Sequence, residues 1–189
     1  MRLGLGSSLA LFAIGCLAGL VGDHAAVSSG TTRYLDTGGF PSLWGSPIFF
    51  APAVGLATVA TAELRLHLAP PRPDPSWERA LGGVAAVLGL YVLTALLTDA
   101  STSSATALIA CLAVIVFAVM GGGFPAVICG ATAAVLGPAA EIIEAEAGVY
   151  EYTGNVDGLL GVGPWLVPLY FAFGVVCAYL GELAAARDG

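Results

Sequence analysis

Charge is what this sequence has least of. Asp, Glu, Lys and Arg supply only 10% of its 189 residues, whereas a water-soluble domain carries about 25% because its surface has to be solvated. That scarcity excludes a soluble globular domain. Lysine and glutamine are absent, Asn155 is the single asparagine, and all six basic residues are arginines. The formal net charge is −7 and there is no basic run, which excludes nucleic acid as a partner. The bias toward Ala, Gly and Arg points to a GC-rich bacterial genome.

Catalytic and metal-binding patterns are missing too. The chain has no HExxH, no Walker spacing and no Ser/His/Asp set. His24 and His67 fall near opposite ends of apolar spans and cannot share a metal. Cys16, Cys111, Cys129 and Cys177 each sit inside an apolar run without metal-site spacing. Neither a metal nor a cofactor is expected, and the thiols read as small packing residues.

What the chain does have is apolar length: 58% of its residues are hydrophobic and its mean hydropathy is +0.90. A membrane-crossing helix needs roughly 20 such residues. Apolar windows run over 6–27, 46–64, 80–98, 104–121, 124–143 and 163–184. The expected fold is therefore all-α: one domain over 1–189, a polytopic integral membrane protein with six transmembrane helices in a single bundle. Six crossings put Arg2, Arg65, Arg72, Arg79 and Arg187 on one face and Arg33 alone on the other. By the positive-inside rule both termini are cytoplasmic. The opposite side collects Asp23, Asp36, Asp99, Glu144, Glu146, Glu151 and Asp157. A lipobox-like Ala13-Ile14-Gly15-Cys16 offers a cleaved-signal alternative, but the apolar run continues for a full span beyond Cys16.

Helices in lipid associate through small residues and shape. Gly15/Gly19, Gly82/Ala86, Gly130/Ala134 and Gly174/Ala178 are candidate contact pairs. Segment 69–76 contains four prolines and makes a stiff connection, and Gly121-Gly122-Gly123 a tight turn. Pro47 and Pro52, Pro138, and Pro164 and Pro168 are expected to bend spans two, five and six, leaving a lateral gap for a lipid tail or a sterol. Trp44, Trp77 and Trp165 lie next to span ends, where indoles favour the headgroup level. Glu141 and Glu144 lie one turn apart near the outer end of span five. They read as a solvated helix end, or as a proton or cation site. Glu63 and Arg65 read as interfacial charges.

The segment Gly148-Val149-Tyr150-Glu151-Tyr152-Thr153, followed by Pro164-Trp165-Leu166 and Phe171-Ala172-Phe173-Gly174-Val175, resembles the fifth-to-sixth helix region of the Insig (insulin-induced gene) family. That family carries a GVYxYT element, a WLP-like start to helix six and a glycine-bearing FxxGGV-type stretch; here Val167 intervenes before Pro168. Glu63 and Asp99 match in order. The resemblance implies a polytopic sterol or lipid sensor. Animal members bind oxysterols and engage the escort protein Scap and HMG-CoA reductase in the endoplasmic reticulum. Where the family has a Trp-Trp pair and a partner-binding aspartate, this chain has Ala118-Val119 and Gly121-Gly122, which puts escort-protein binding in doubt. Ser104-Ala105-Thr106 stands in place of a family glutamine, so oxysterol selectivity is open and a diacylglycerol-like lipid is a reasonable occupant.

The expected function is non-enzymatic binding of an amphipathic membrane lipid, sterol or diacylglycerol-like, in a bacterial cell membrane, with homo-oligomers allowed. Phe49, Phe50, Tyr91, Phe117, Trp165 and Phe171 are the candidates to line the pocket, with Thr94, Asp99 and Thr106 near the headgroup. The alternative is a small proton- or cation-coupled transporter or membrane enzyme working through Glu141 and Glu144. A pure scaffold for other membrane proteins is a third.

Overall fold

The computed structural model describes residues 2–97, 99–153 and 158–188, so Asp157 lies outside the described residues. Six helices occur among them: α1 (Leu5–Ser28), α2 (Phe50–Leu68), α3 (Trp77–Leu96), α4 (Thr102–Val119), α5 (Phe124–Glu146) and α6 (Leu166–Asp188). Four short strands lie between them: β1 (Thr32–Tyr34), β2 (Ser42–Leu43), β3 (Ser46–Pro47) and β4 (Tyr150–Tyr152). Five of these helices, all but α2, are long and apolar enough to cross a membrane. This is an integral membrane protein.

Local chemistry sets the boundaries. The Ser76 and Ser101 side chains accept the backbone N–H of Arg79 and Ser104 at 3.3 and 3.2 Å and so start α3 and α4. Gly121, Gly122 and Gly123 turn α4 into α5 with φ of +82°, +52° and +99°, which only glycine adopts freely. Proline stands elsewhere than expected. Pro47 lies in β3, paired with Ser42, so α2 begins at Phe50. Pro52 and Pro168 fall in the first turns of α2 and α6, where no intrahelical N–H bond is lost. Pro164 precedes α6, which leaves Pro138 as the interior proline among the described helices.

Close approaches show how the helices run. Gly19 meets Val54 and Gly15 meets Gly55 and Thr58, while the Leu3 N–H reaches Glu63, so α1 and α2 are antiparallel. A Cβ on Gly19 would lie 2.8 Å from Val54, so the expected glycine pair does form a contact. Gly174 lies against the Cys129 carbonyl and Ala133, and Gly130 against Phe171, which sets α5 antiparallel to α6. Thr58 faces Cys177, Ala62 meets Gly181 and Arg65 reaches Glu182, making α2 parallel to α6. Gly82 touches nothing. Its neighbour Gly83 faces Met120 and Val176 instead, because the two differ by about 100° around the helix.

Helix α6 is the axis of the bundle. Of its central window 72% is buried, against 22–33% for the other four spanning candidates. It packs against all five of the other helices.

The two ends of the bundle differ. At one, Gly4 and Ser7 bond to the Asp188 carboxylate, so the first and last helices meet. There Glu182, 1% exposed, receives Arg65 Nε at 2.7 Å and faces Arg72 Nε at 3.1 Å. Arg65 also donates to the carbonyls of Ala69 and Pro70, and Arg72 to those of Met120 and Gly122, closing the end of α4. Arg65 is thus buried within the protein at this end of the bundle. At the opposite end β1 pairs antiparallel with β4, with Arg33 across from Glu151 and the two ion-paired.

Candidate functional site

Between α1, α2, α3, α5 and α6 lies a cavity of about 370 Å³. Its volume comes from small side chains. Ala18, Gly19, Ala53, Ala57, Ala60, Ala133, Gly137 and Ala140 account for eight of its 22 lining residues. Val54, Leu64, Val87, Leu88, Leu136, Leu169 and Phe173 make the wall mostly apolar, with Thr61 and Thr132 as the hydroxyls within it. Ala57 and Ala60 on α2 and Leu136 and Ala140 on α5 are exposed, so the opening faces sideways between those two helices.

At the strand end the wall becomes polar. Glu141 is buried, and three phenols converge on its carboxylate: Tyr152 at 2.7 Å, Tyr150 at 3.0 Å and Tyr170 at 2.6 Å. Alternation along β4 sends Tyr150 and Tyr152 to one side and Glu151 to the other. This corrects the reading of Glu141 as a solvated helix end; the folded-back strand covers it. Across the gap, buried Asp23 of α1 accepts the Tyr34 hydroxyl at 3.0 Å. Burial pushes the phenols of Tyr34, Tyr150 and Tyr152 well above their ordinary pKa, and the charges of Asp23 and Glu141 push the same way. Those hydroxyls therefore remain donors at neutral pH.

A second chamber of about 20 Å³ adjoins the first and shares Phe50, Tyr91, Glu141 and Glu144 with it. Asp23, Thr31, Thr32, Tyr34, Thr94, Tyr150 and Tyr152 complete its polar lining.

Of the residues chosen from sequence, Phe50 and Tyr91 line both spaces and Thr94 lines the smaller one. The remainder lie outside both linings. Phe49 caps the start of α2 and stacks edge-on with Phe40. Phe117 and Phe171 stack on each other, Phe171 wedged against Gly130. Asp99 is exposed in the connection after α3, and Thr106 bonds its own helix at the Thr102 carbonyl. Trp165 is 9% exposed and packs edge-on against Tyr152 of β4. Trp44 and Trp77 are exposed at opposite ends.

Sequence reasoning missed the partners of Glu141, together with Asp23 and Glu182 as buried acids. The signals were present: tyrosines two apart in an extended segment share a face, and an acid within an apolar window marks a special position.

No family model matches the chain. It is 50% identical over 187 residues to the INSIG protein homolog of Mycolicibacterium vanbaalenii, covering 99% of this chain and 91% of that one. Crystal structures of MvINS, a mycobacterial Insig homolog from Mycobacterium vanbaalenii, match its fold with a TM-score of 0.96 at 49% identity. They cover 100% of this chain and 99% of theirs, and one of them is a cross-linked trimer. With half the residues shared along almost the full length and the helices superposing throughout, the chain belongs to the Insig family.

Proposed function

We propose that this protein is a non-enzymatic lipid-binding member of its family, holding one amphipathic lipid, sterol or diacylglycerol-like, between its helices. The observation that carries this reading is the 370 Å³ cavity with a mostly apolar wall, a sideways opening and a polar end at Glu141. A tail enters from the bilayer without crossing water. Apolar burial at about 0.8 kcal/mol per methylene overstates the affinity, because the competing site is itself lipid. Selectivity rests on shape and on the few polar groups.

In this reading α2 also crosses the membrane. Its direction opposite to α1 and its burial against α6 support that, with Glu63 and Arg65 gathered near one end. Six crossings return both termini to the arginine-rich side, which the positive-inside rule makes cytoplasmic. The membrane is a bacterial cell membrane and the assembly a homo-oligomer, on the strength of the bacterial relative and the trimeric MvINS.

Native mass spectrometry of the purified protein tests the reading. One lipid class is expected to be enriched over the host bilayer, and Ala57→Trp, which fills the cavity, to abolish the enrichment. Bound lipid matching bulk composition in both proteins overturns it.

A further inference from the structure

Between Asp36 and Phe50 the chain runs over 37–49 without a charged residue. Within that run β2 and β3 pair as a hairpin whose two-residue turn is Trp44-Gly45. The hairpin has two faces. Ser46 and Pro47 are buried where β3 packs on α1 and α2. Phe40, Leu43, Trp44 and Ile48 are 47–57% exposed.

The turn lies beside α1 and not beyond it. His24 sits one turn before the end of that helix, and its Nδ1–H donates to the Trp44 carbonyl at 2.8 Å with the two rings 5.9 Å apart. Gly45 lies against Val27. The hairpin thus folds back along the last turn of a membrane-crossing helix, toward the bilayer.

The same flank of α1 runs on into the membrane. Leu17 and Val21, 62% and 41% exposed, precede His24 at spacings of four and three, which puts all three on one helix face. Such a stripe on a membrane-crossing helix faces acyl chains unless another chain covers it. Trp44 stands in line with it.

The backbone at the turn points the same way independently. Trp44 has φ +56° and Gly45 φ +88°, the left-handed pair that Asn-Gly adopts with least strain in a two-residue hairpin turn. A bulky residue is disfavoured there, and an indole left 57% exposed recovers only part of that cost by packing. Its amphipathic ring is, however, favoured at the headgroup level.

We propose that the hairpin is a membrane-surface anchor, with Phe40, Leu43, Trp44 and Ile48 seated in the headgroup layer of the leaflet at the strand end. It goes no deeper, because the outer edges of a two-stranded ladder carry backbone N–H and C=O groups that hydrocarbon cannot satisfy. The anchor does not depend on what the cavity holds. It sets the level of the cavity's polar end, since Phe50 closely follows Ile48 and lines both chambers.

The full chain and Trp44→Phe are reconstituted in phosphatidylcholine vesicles brominated at different depths of the acyl chain. The emission of Trp44 is the difference between the two proteins, which cancels Trp77 and Trp165. The quenching profile is expected to place the indole about 15 Å from the bilayer centre, at the edge of the hydrocarbon. Iodide in the aqueous phase is expected to cause a smaller loss of intensity than the shallowest bromine. Strong quenching by iodide with none by bromine places the hairpin in water and overturns the proposal. Protection from both quenchers places it under another protein chain and overturns it too.

Discussion

Glu182→Ala is the substitution whose cost the structure specifies most closely. Its carboxylate is 1% exposed, bonded to Arg65 at 2.7 Å and ion-paired with Arg72 at 3.1 Å. Removing it strands Arg65, 4% exposed, whose guanidinium is still held inward by the carbonyls of Ala69 and Pro70. Breaking a buried pair from one side costs about 3–5 kcal/mol, most of it from the charge left without a partner. The Arg72 side chain is 30% exposed and partly solvated, so its share is smaller. For a chain of this size each kcal/mol lowers the midpoint by about 2–4 °C, so a loss of about 3 kcal/mol or more moves it by at least about 6 °C. Thermal unfolding in detergent reads this directly. Replacing both partners, Arg65→Met with Glu182→Leu, leaves no buried charge to strand and is expected to be more stable than Glu182→Ala. The reasoning is refuted by a Glu182→Ala midpoint within 2 °C of the unaltered protein, or by a double variant that loses the sum of its two singles.

Two further outcomes are expected. Gly174→Ala would set a Cβ 2.5 Å from the Cys129 carbonyl and is expected to cost about 1–3 kcal/mol, whereas Gly82→Ala meets nothing and is neutral or stabilising by up to about 1 kcal/mol; paired melting curves check both. At alkaline pH the phenols of Tyr34, Tyr150 and Tyr152 keep protons that the unfolded chain loses near pH 10. Because the unfolded state then binds fewer protons, their contribution is fully present below about pH 10 and falls by about 1.4 kcal/mol per pH unit for each phenol above it. No lysine confuses the titration. Stability is read from midpoints between pH 8 and 11.5, where Tyr34→Phe is expected to shallow the decline; an unchanged slope would count against the burial of that phenol.

The helices were legible because lipid forces their composition: about twenty apolar residues in a row admit few other structures. The arginine asymmetry pointed to termini sharing an end, where Gly4 and Asp188 do meet. Phe50 and Tyr91, candidates as aromatics within apolar spans, border the cavity. Phe117, Phe171 and Trp165 carried the same composition signal, but whether an in-span aromatic fills space or borders it depends on the rotation of its helix. No window average contains that rotation. Glu141 was misread for a related reason. Distance from the helix end was taken as distance from water, while the chain returns through β4 and closes over the acid.

The axial place of α6 has a consequence for biogenesis. This helix follows the other five along the chain and so leaves the ribosome after them, yet it supplies Glu182 to Arg65 and Tyr170 to Glu141. Until it inserts, the other five helices lack their central partner, Arg65 lacks the Glu182 carboxylate and Glu141 lacks the Tyr170 hydroxyl. Insertion of the last segment neutralises Arg65 and completes the donors around Glu141 in one step. A chain stopped before residue 166 exposes both defects to the membrane, which offers quality-control proteases a ready mark of incompleteness.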